Sequence, residues 1–313
     1  MEKLILDKID LNILATLARD CRTSYSSIGS LSGLTSKSVK SRVKNMVRSG
    51  IIEKFIVRVN PGGFGFRTAH VLVMRNNGIT KEDVIERIKQ FGDLAFHVHH
   101  MGRTSMAALI IKESLDDKII QSLNDSLKPA TVKRISVFEL PVSTDLSETD
   151  LRIIKCLLLS GARIEISEIA KELGISEKTT TRRLERMKEG SLLDFSLQCD
   201  PAAMIGYVQF TILINVEKSH YRSVYVRMYS EFQEIIIDPN DLLIFVLFAE
   251  NVFMIDLVLA NVDSFEGVRN ADVYILTKLQ YYNDWIIREI DERLLTQRPL
   301  SHKYIKSADS LPV

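Results

Sequence analysis

The sequence has few cysteines, no long apolar run and no obvious targeting segment. No apolar stretch approaches the roughly 20 residues that a membrane-spanning helix needs. The three cysteines, Cys21, Cys156 and Cys199, are an odd number without CxxC spacing, which favours reduced thiols. The charged N-terminal segment lacks the apolar core of a signal peptide. These absences predict a cytoplasmic protein that does not contact a membrane.

Motifs of common enzymes are missing as well. The chain has no glycine-rich phosphate loop, no GxSxG sequence and no Cys/His signature in a supporting context. The segment FHVHHMG places His97 and His99 on one face of a strand and His100 on the other. Alternate histidines can bind zinc, but no cysteine or carboxylate set nearby completes four ligands. The sequence therefore predicts no enzyme, no metal and no cofactor.

What the sequence does contain is an internal repeat. LTSKSVKSRVKNMVRSGIIEKF, residues 34–55, is similar to ISEKTTTRRLERMKEGSLLDF, residues 175–195. Arg42 aligns with Arg183 and Met46 with Met187, an offset of 141 positions. A repeat of this length predicts two copies of one structural unit in a chain of 313 residues.

Each copy contains the pattern of a helix-turn-helix. A short helix ends at a glycine, Gly33 or Gly174, and a third helix follows with Thr35 or Ser176 as its N-cap. In the first copy the spacing of the apolar residues predicts which of them pack inward: Val39, Val43, Met46 and Val47. The alternating run after Gly50, ending at Asn60-Pro61, predicts a β-ribbon wing, and the second copy ends likewise at Asp200-Pro201.

A second kind of unit follows each wing. Its strands and helices have the order βαββαβ, which predicts a ferredoxin-like sandwich. The fold class is therefore α+β, with two winged helix-turn-helix domains alternating with two ferredoxin-like sandwich domains. We name the units by residues: first head (1–61), first sandwich (64–142), second head (143–201), second sandwich (205–283), and a C-terminal helix with a polar tail (284–313).

This order, together with the stretch IDLNILATLARDCRTSYSSIGSLSGLTSKSVKSRVKNMVRSGII, resembles the leucine-responsive regulator (Lrp/AsnC) family of transcription factors. The resemblance implies binding of double-stranded DNA by the third helix and an amino-acid-like effector held by a Gly-Asp-x-Asp turn between sandwich domains. Neither copy retains that turn intact. The candidate effector residues are Gly102, Arg103, Thr104, Ser105, Asp238 and Asp241.

Charge separates the two heads. Residues 1–60 carry eleven Lys or Arg against five acids, whereas residues 143–199 carry nine against ten. Because DNA presents a dense line of phosphates, the first head is the stronger candidate. Its candidate DNA-binding residues are Ser36, Lys37, Ser38, Lys40, Ser41, Arg42, Lys44, Lys54 and Arg58. The weaker set in the second head is Lys178, Thr179, Arg182, Arg183 and Arg186.

Apolar strand faces predict how the copies assemble. A sandwich of this kind carries helices on one sheet face only, so its other face needs cover. We expect the two sandwiches to face each other within the chain and two chains to form a homodimer. Two alternatives remain open from sequence: a sirohaem decarboxylase-like enzyme of the same architecture, which would use His97, His99 and His100, or a DNA-binding architectural protein without sequence preference.

Overall fold

The computed structural model describes residues 4–112, 115–138, 142, 145–232, 236–237 and 242–296. Within those residues the fold is α+β, as expected, with helix-turn-helix units and antiparallel strands in both halves. No helix in these ranges is long and apolar enough to cross a bilayer. Asp238, Asp241 and the polar tail beyond residue 296 lie outside the described residues.

The first head consists of three helices and a strand: α1 (Lys8–Arg19), α2 (Tyr25–Ser32), α3 (Ser36–Arg48) and β1 (Ile52–Val59). Thr35 caps α3 by accepting a hydrogen bond from the Ser38 amide, and Gly33 ends α2 in the left-handed conformation. Val39, Val43 and Met46 are buried, as predicted, but Val47 is 44% exposed and that expectation was wrong. Val47 still belongs to α3, but it lies about 100° around the helix from Met46, at the edge of the buried stripe.

The second head repeats these elements: α6 (Glu148–Ser160), α7 (Ile166–Leu173), α8 (Glu177–Glu189) and β6 (Leu193–Cys199). Ser176 caps α8, and Gly174 ends α7 in the left-handed conformation. The two helix-turn-helix units therefore share their capping chemistry as well as their order of helices.

The predicted wings are not separate ribbons. Strand β1 pairs with β6 in an antiparallel two-stranded sheet, so each head contributes one strand to a ribbon that both heads share. Phe55 lies opposite Leu197, and Val57 lies opposite Phe195. A single alternating run could not reveal its partner, because a strand's pattern does not specify which other strand it pairs with.

The shared ribbon also exchanges side chains between the two hydrophobic cores. Val57 of β1 packs in the core of the second head, together with Leu184 and Met187 of α8. Leu197 and Cys199 of β6 pack in the core of the first head. Each head is therefore completed by the strand that follows the other head.

The first sandwich has the βαββαβ order: β2 (Arg67–Met74), α4 (Lys81–Lys89), β3 (Leu94–His100), β4 (Thr104–Ile111), α5 (Asp117–Leu127) and β5 (Thr131–Phe138). The second sandwich repeats it: β7 (Val208–Val216), α9 (Tyr221–Phe232), β8 (Ile236–Ile237), β9 (Leu242–Ala249), α10 (Val252–Asp263) and β10 (Val268–Tyr281).

The strands of both sandwiches join into one eight-stranded sheet in the order β5-β2-β4-β3-β10-β7-β9-β8. Each half has the same internal arrangement, with its first and third strands in the middle. The junction is the long strand β10, whose first part pairs with β7 and whose last part pairs with β3. Sequence analysis did not predict this edge-to-edge junction.

The inner faces of the two half-sheets also pack together, as expected. Phe138 of β5 contacts Leu213, Leu242 and Ile244 of the second sandwich, with Tyr274 beside them. The Arg134 guanidinium donates to Asn215 Oδ1 at 3.3 Å across the same space. The intrachain pairing of the sandwiches therefore uses both a shared strand edge and a buried apolar face.

A last helix, α11 (Asp284–Thr296), packs against the second head. Trp285 lies edge-on to Phe64 and Phe66, with ring centroids 6.4 and 5.9 Å away, and the Lys155 ammonium pairs with Asp291. The helix thus connects the turn after β1 to the outside of α6.

We predict that a fragment ending at Val142 self-associates or aggregates. The fragment retains β1 and β3 but lacks their partners β6 and β10, so two strand edges and the inner sheet face become exposed. Light scattering on the purified fragment measures this directly. A soluble, well-folded monomer would contradict the pairing described above.

Candidate DNA-binding surface

One exposed stripe on α3 carries the basic side chains of the first head. Lys37, Lys40, Lys44 and Arg48 recur at helical spacing and are all exposed. Ser36 and Ser41 lie beside them and are also exposed. The buried Val39, Val43 and Met46 fix the opposite side of the helix against the core, so the basic stripe must face outward.

The start of α3 presents hydroxyl groups. Ser36 is exposed, whereas the Ser38 hydroxyl lies 2.9 Å from the Thr35 hydroxyl. Unpaired amides at the start of a helix and a positive dipole end favour anions such as phosphate. The structure therefore keeps Ser36 and Ser38 beside a surface suited to a phosphate, with Ser38 engaged in the cap.

Arg42 does not belong to the exposed stripe. Its guanidinium donates to Asp7 and Asp10 at 2.8 Å each, tying α3 to the start of α1. The hydrogen bonds that Arg42 donates to Asp10 and Asp7 raise the pKa of Arg42. The structure thus gives Arg42 a role inside the head, and a contact from Arg42 to DNA stays a prediction.

The two candidate DNA-binding residues on strand β1, Arg58 and Lys54, also differ in their surroundings. Arg58 forms a salt bridge with Asp194 directly across the shared ribbon, so its guanidinium links the two strands instead of facing a phosphate. Lys54 is exposed on β1 and keeps its place among the candidates.

The equivalent stripe on α8 has lost most of its positive charge. Lys37 corresponds to Lys178, but Lys40 corresponds to Thr181 and Lys44 to Glu185. Arg182 and Glu185 are both exposed, with Glu189 one turn further on. Acids next to phosphates are repelled, although a carboxylate can accept a hydrogen bond from cytosine in the major groove.

Two arginines expected on this weaker surface hold a buried aspartate instead. Asp150 is fully buried and accepts from Arg183 at 2.9 Å and from Arg186 at 2.6 Å. Burial alone would raise the pKa of Asp150, but hydrogen bonds from Ser147 and Arg183 hold it below its usual value. Arg183 thus repeats the role of Arg42 at the equivalent position. The Thr179 hydroxyl lies 2.9 Å from that of the capping Ser176. Arg186 is itself exposed, so Lys178 and Arg182 are the exposed cations of the weaker set that do not bind Asp150.

A reciprocal pair of arginines joins the two heads, and sequence analysis missed it. Arg22 donates to the carbonyls of Ala162 and Ile164 at 2.8 and 2.9 Å, and Arg163 donates to the carbonyl of Cys21. Each guanidinium also stacks on a ribbon ring of the opposite strand: Arg22 on Phe195 and Arg163 on Phe55. We call these contacts the arginine clasp. The sequence does contain a signal for this pair, because Arg22 and Arg163 are 141 positions apart and so occupy equivalent places in the two copies of the repeat.

Four of the candidate effector residues, Gly102, Arg103, Thr104 and Ser105, lie at the turn between β3 and β4. Gly102 and Arg103 form the exposed tip of the turn between β3 and β4, and Thr104 is half-buried. Ser105 is buried, with its hydroxyl 2.9 Å from His99 Nδ1. This turn therefore offers an arginine at its tip where the resemblance would place an acid.

The three histidines of β3 are all buried. His97 Nδ1 lies 2.8 Å from the Tyr282 hydroxyl, His99 bonds Ser105, and His100 stacks on Tyr274 with centroids 4.9 Å apart. On β2, His70 faces a narrow cleft between the half-sheets, stacked on Phe138. Among the described residues no group of three or more His, Cys, Asp or Glu is arranged to hold a metal ion.

Two segments match families of known domains. Residues 6–53 match the family described as winged helix-turn-helix DNA-binding, and residues 146–188 match the AsnC-type helix-turn-helix domain. These segments are the helical parts of the first and second heads.

Similar proteins are regulators from archaea. The HTH-type transcriptional regulator Ptr1 of Methanocaldococcus jannaschii is 27% identical over 112 residues, 36% of this chain and 76% of that protein. LrpA of Pyrococcus horikoshii is 30% identical over 87 residues, 28% of this chain and 62% of that protein. An uncharacterized HTH-type transcriptional regulator of Pyrococcus furiosus is 32% identical over 29% of this chain and 61% of its own length.

Solved structures resemble the chain at lower similarity. The siroheme decarboxylase NirDL covers 92% of this chain and 99% of its own, at 14% identity and a TM-score of 0.48. Escherichia coli AsnC covers 42% of this chain and 92% of its own, at 21% identity and a TM-score of 0.32. Values this low do not decide between a regulator and an enzyme.

A helix-turn-helix with an exposed basic stripe, set beside paired ferredoxin-like sheets, defines a DNA-binding transcriptional regulator. The chain carries two helix-turn-helix domains, the second of AsnC type, and is similar to regulators of the Lrp/AsnC family.

We predict that the fold loses stability as the pH falls from about 6.5 towards 5. Burial lowers the pKa of His70 to about 3, and burial also lowers those of His97, His99 and His100 to about 3, 4 and 3. Unfolded histidines bind protons near pH 6.5, so the unfolded chain takes up more protons than the folded one below that pH. Each such histidine costs at most about 2 kcal/mol at pH 5.

Denaturant titrations at a series of pH values test this. His70→Leu should make the free energy of unfolding depend less steeply on pH, because it removes one titrating group. Phe96→Leu alters a ring packed on His70 and should leave the pH dependence of that free energy unchanged. Equal slopes for His70→Leu and the wild type would refute the assignment.

Proposed function

We propose that the chain regulates transcription in the cytoplasm by placing α3 of the first head in the major groove of DNA, with the second head acting mainly as its support. Lys37, Lys40 and Lys44 face the groove or its phosphate edges, and Ser36 and Ser41 lie between them. Lys54 adds a contact to the flanking backbone. No catalytic role is part of this proposal.

The observation that carries the proposal is the difference between two equivalent helices of one fold. Both α3 and α8 are capped and packed alike, and both use an arginine–aspartate pair to fix the helix to the head. Only the exposed stripes differ: α3 has Lys40 and Lys44 where α8 has Thr181 and Glu185. Since packing does not require this difference, the basic stripe is best explained by a polyanionic partner.

The second head has a mechanical role in this proposal. Its strand β6 completes the core of the first head, and the arginine clasp fixes the two turns against each other. An orientation fixed in this way lowers the entropy that the first head loses on binding DNA. The second head can then support binding without making a strong contact with DNA itself.

The enzyme alternative requires histidines that can reach a ligand. His97 and His99 instead bond Tyr282 and Ser105 and are 4% and 3% exposed. This favours a structural role for them. An absorption titration with sirohaem is the matching check, in which we expect no change in the haem spectrum.

We also propose that two chains act together as a homodimer. One α3 makes few base contacts, and a twofold pair would read two half-sites about one helical turn apart. We assign no effector, because Arg103 replaces an acid at the turn and the Ser105 hydroxyl is occupied by His99.

Replacing Lys37, Lys40 and Lys44 together by alanine should weaken binding to DNA strongly. If the three lysines neutralise phosphates, the slope of log K against log salt should fall by about 0.9 for each lysine removed. Fluorescence anisotropy on genomic fragments with competitor DNA, at several salt concentrations, measures both quantities. Unchanged affinity in the triple variant would reject the proposal.

The control for this variant is Lys178→Ala with Arg182→Ala, which removes the two exposed cations of the weaker set that do not bind Asp150. We expect this double variant to lose little affinity for DNA. A loss as large as that of the triple variant would mean that the second head contributes equally.

Exchanging equivalent side chains between the heads provides a second prediction. Lys44→Glu should abolish binding, because it places a carboxylate in the groove-facing stripe. Glu185→Lys should change affinity little if α8 points away from DNA, and should raise nonspecific affinity if α8 lies close to it. Both positions are exposed, so folding is not at risk. Retained binding in Lys44→Glu would reverse the ranking of the heads.

A further inference from the structure

Helix α10 of the second sandwich exposes a row of apolar side chains, Phe253, Leu257 and Ala260, which we call the crest. Phe253 is 78% exposed and Leu257 is 63% exposed, with the small Ala260 next to them. At 100° per residue these three side chains lie within about 60° of one another on the side opposite the buried Ile255 and Val262. Val252 and Met254 flank the crest and are also exposed.

The first sandwich shows that the fold does not require this crest. Helix α5 is the equivalent of α10, and its N-cap Asp116 corresponds to Asn251. From that alignment Phe253 corresponds to Lys118, Leu257 to Ser122 and Ala260 to Asp125. The same helix in the same architecture is polar in one copy and apolar in the other. The apolar side chains therefore serve something outside the sandwich.

The position of the crest places it on the flank of the first head. Helix α10 begins two residues after Glu250, whose carboxylate lies 3.3 Å from the Lys8 ammonium at the start of α1. A partner bound to the crest thus lies beside the first head.

We propose that this crest is the surface through which two copies of the chain form a twofold dimer, with the two α10 helices packed antiparallel. An axis midway between Phe253 and Ala260 places each phenylalanine over the small alanine of the other copy and brings the two Leu257 side chains together. The helix is self-complementary in this register, large against small, as an isologous interface requires.

The exposed area fits the same occupant. Antiparallel packing brings Asp263, at the end of α10, towards Glu250 of the second copy, and the Lys8 ammonium beside Glu250 offsets part of this acidic charge at the rim. The exposed apolar side chains amount to on the order of 400 Å² per chain. With the polar rim, the pair buries about 1,000 Å², the lower bound for a specific interface, so a reversible dimer is expected. Asp256 lies on the flank of the helix and stays in contact with water.

The inference rests on the proposed function only for its consequence on DNA: it brings the two first heads together rather than the two second heads. The dimer itself is tested without DNA. Sedimentation velocity on the full chain across a concentration series should show a reversible monomer–dimer equilibrium. A wild-type chain that stays monomeric throughout would overturn the proposal.

The sharpest variant replaces the crest by the residues of its equivalent helix: Phe253→Lys with Leu257→Ser. It should be monomeric and should keep the melting temperature that the wild type shows at concentrations where it is monomeric, because α5 folds with those residues. The matched control is Leu159→Ser, which removes a leucine that is 64% exposed on α6, and it should remain dimeric. A dimer that persists in the crest variant would overturn the proposal.

A cysteine at the axis separates self-association from any other occupant. Leu257→Cys should form a disulfide between chains on mild oxidation, because the two residues meet at the axis within the range of a disulfide. Ala260→Cys should not, because it lies about 10 Å along the helix from its own symmetry mate. The three native cysteines are buried and give little background. Equal cross-linking at both positions, or none at Leu257→Cys, would reject the twofold register.

DNA binding then separates this inference from the proposed function. The monomeric crest variant should keep its affinity for a single half-site and lose cooperativity on DNA with two half-sites. A wild-type chain that dimerises through the crest but binds no DNA would leave the dimer standing and remove the regulator proposal alone.

Discussion

The antiparallel pairing of β1 with β6 is the constraint on which the rest of the structure depends. Each of these strands follows one head and completes the hydrophobic core of the other, so neither head is whole without its counterpart. The pairing also fixes where the arginine clasp can form, because Arg22 and Arg163 stack on the ribbon rings of the opposite strand. Backbone hydrogen bonds across the ribbon and buried side chains beneath it act in the same direction, and together they make the two heads one unit.

This mutual dependence explains how the heads can differ so much on their surfaces and so little inside. The pairs Arg42–Asp10 and Arg183–Asp150 tie the third helix to the first in both copies, and both aspartates are buried. Losing one partner of such a pair would leave a buried charge unsatisfied, which is costly. The exposed positions of α3 and α8 carry no such penalty. A second head that still supplies β6 and the clasp can therefore replace Lys44 by Glu185 without loss of the fold.

The same logic applies to the sandwiches. Their inner faces and the β3–β10 edge cover each other within the chain, which satisfies the requirement that separate chains would otherwise meet by pairing. The outer helices are then the surfaces left to diverge, and α10 has become apolar where α5 is polar. Pairing within the chain has thus covered the inner faces of both sandwiches and left their outer helices free to differ.

Much of this molecule could be read from its sequence, because local patterns determine local structure. The repeat offset, the capping residues Thr35 and Ser176, and the βαββαβ order predicted both helix-turn-helix units and both sandwiches. The basic stripe of α3 followed from helical spacing. The partners of β1 and β3, the clasp, and the salt bridges of Arg42, Arg58 and Arg183 with aspartates did not, since each is decided by residues more than 30 positions away. An arginine in a basic stretch looks alike whether it faces phosphate or a buried aspartate. Only the tertiary structure brings the aspartate within hydrogen-bonding distance, and that distance decides which role the arginine has.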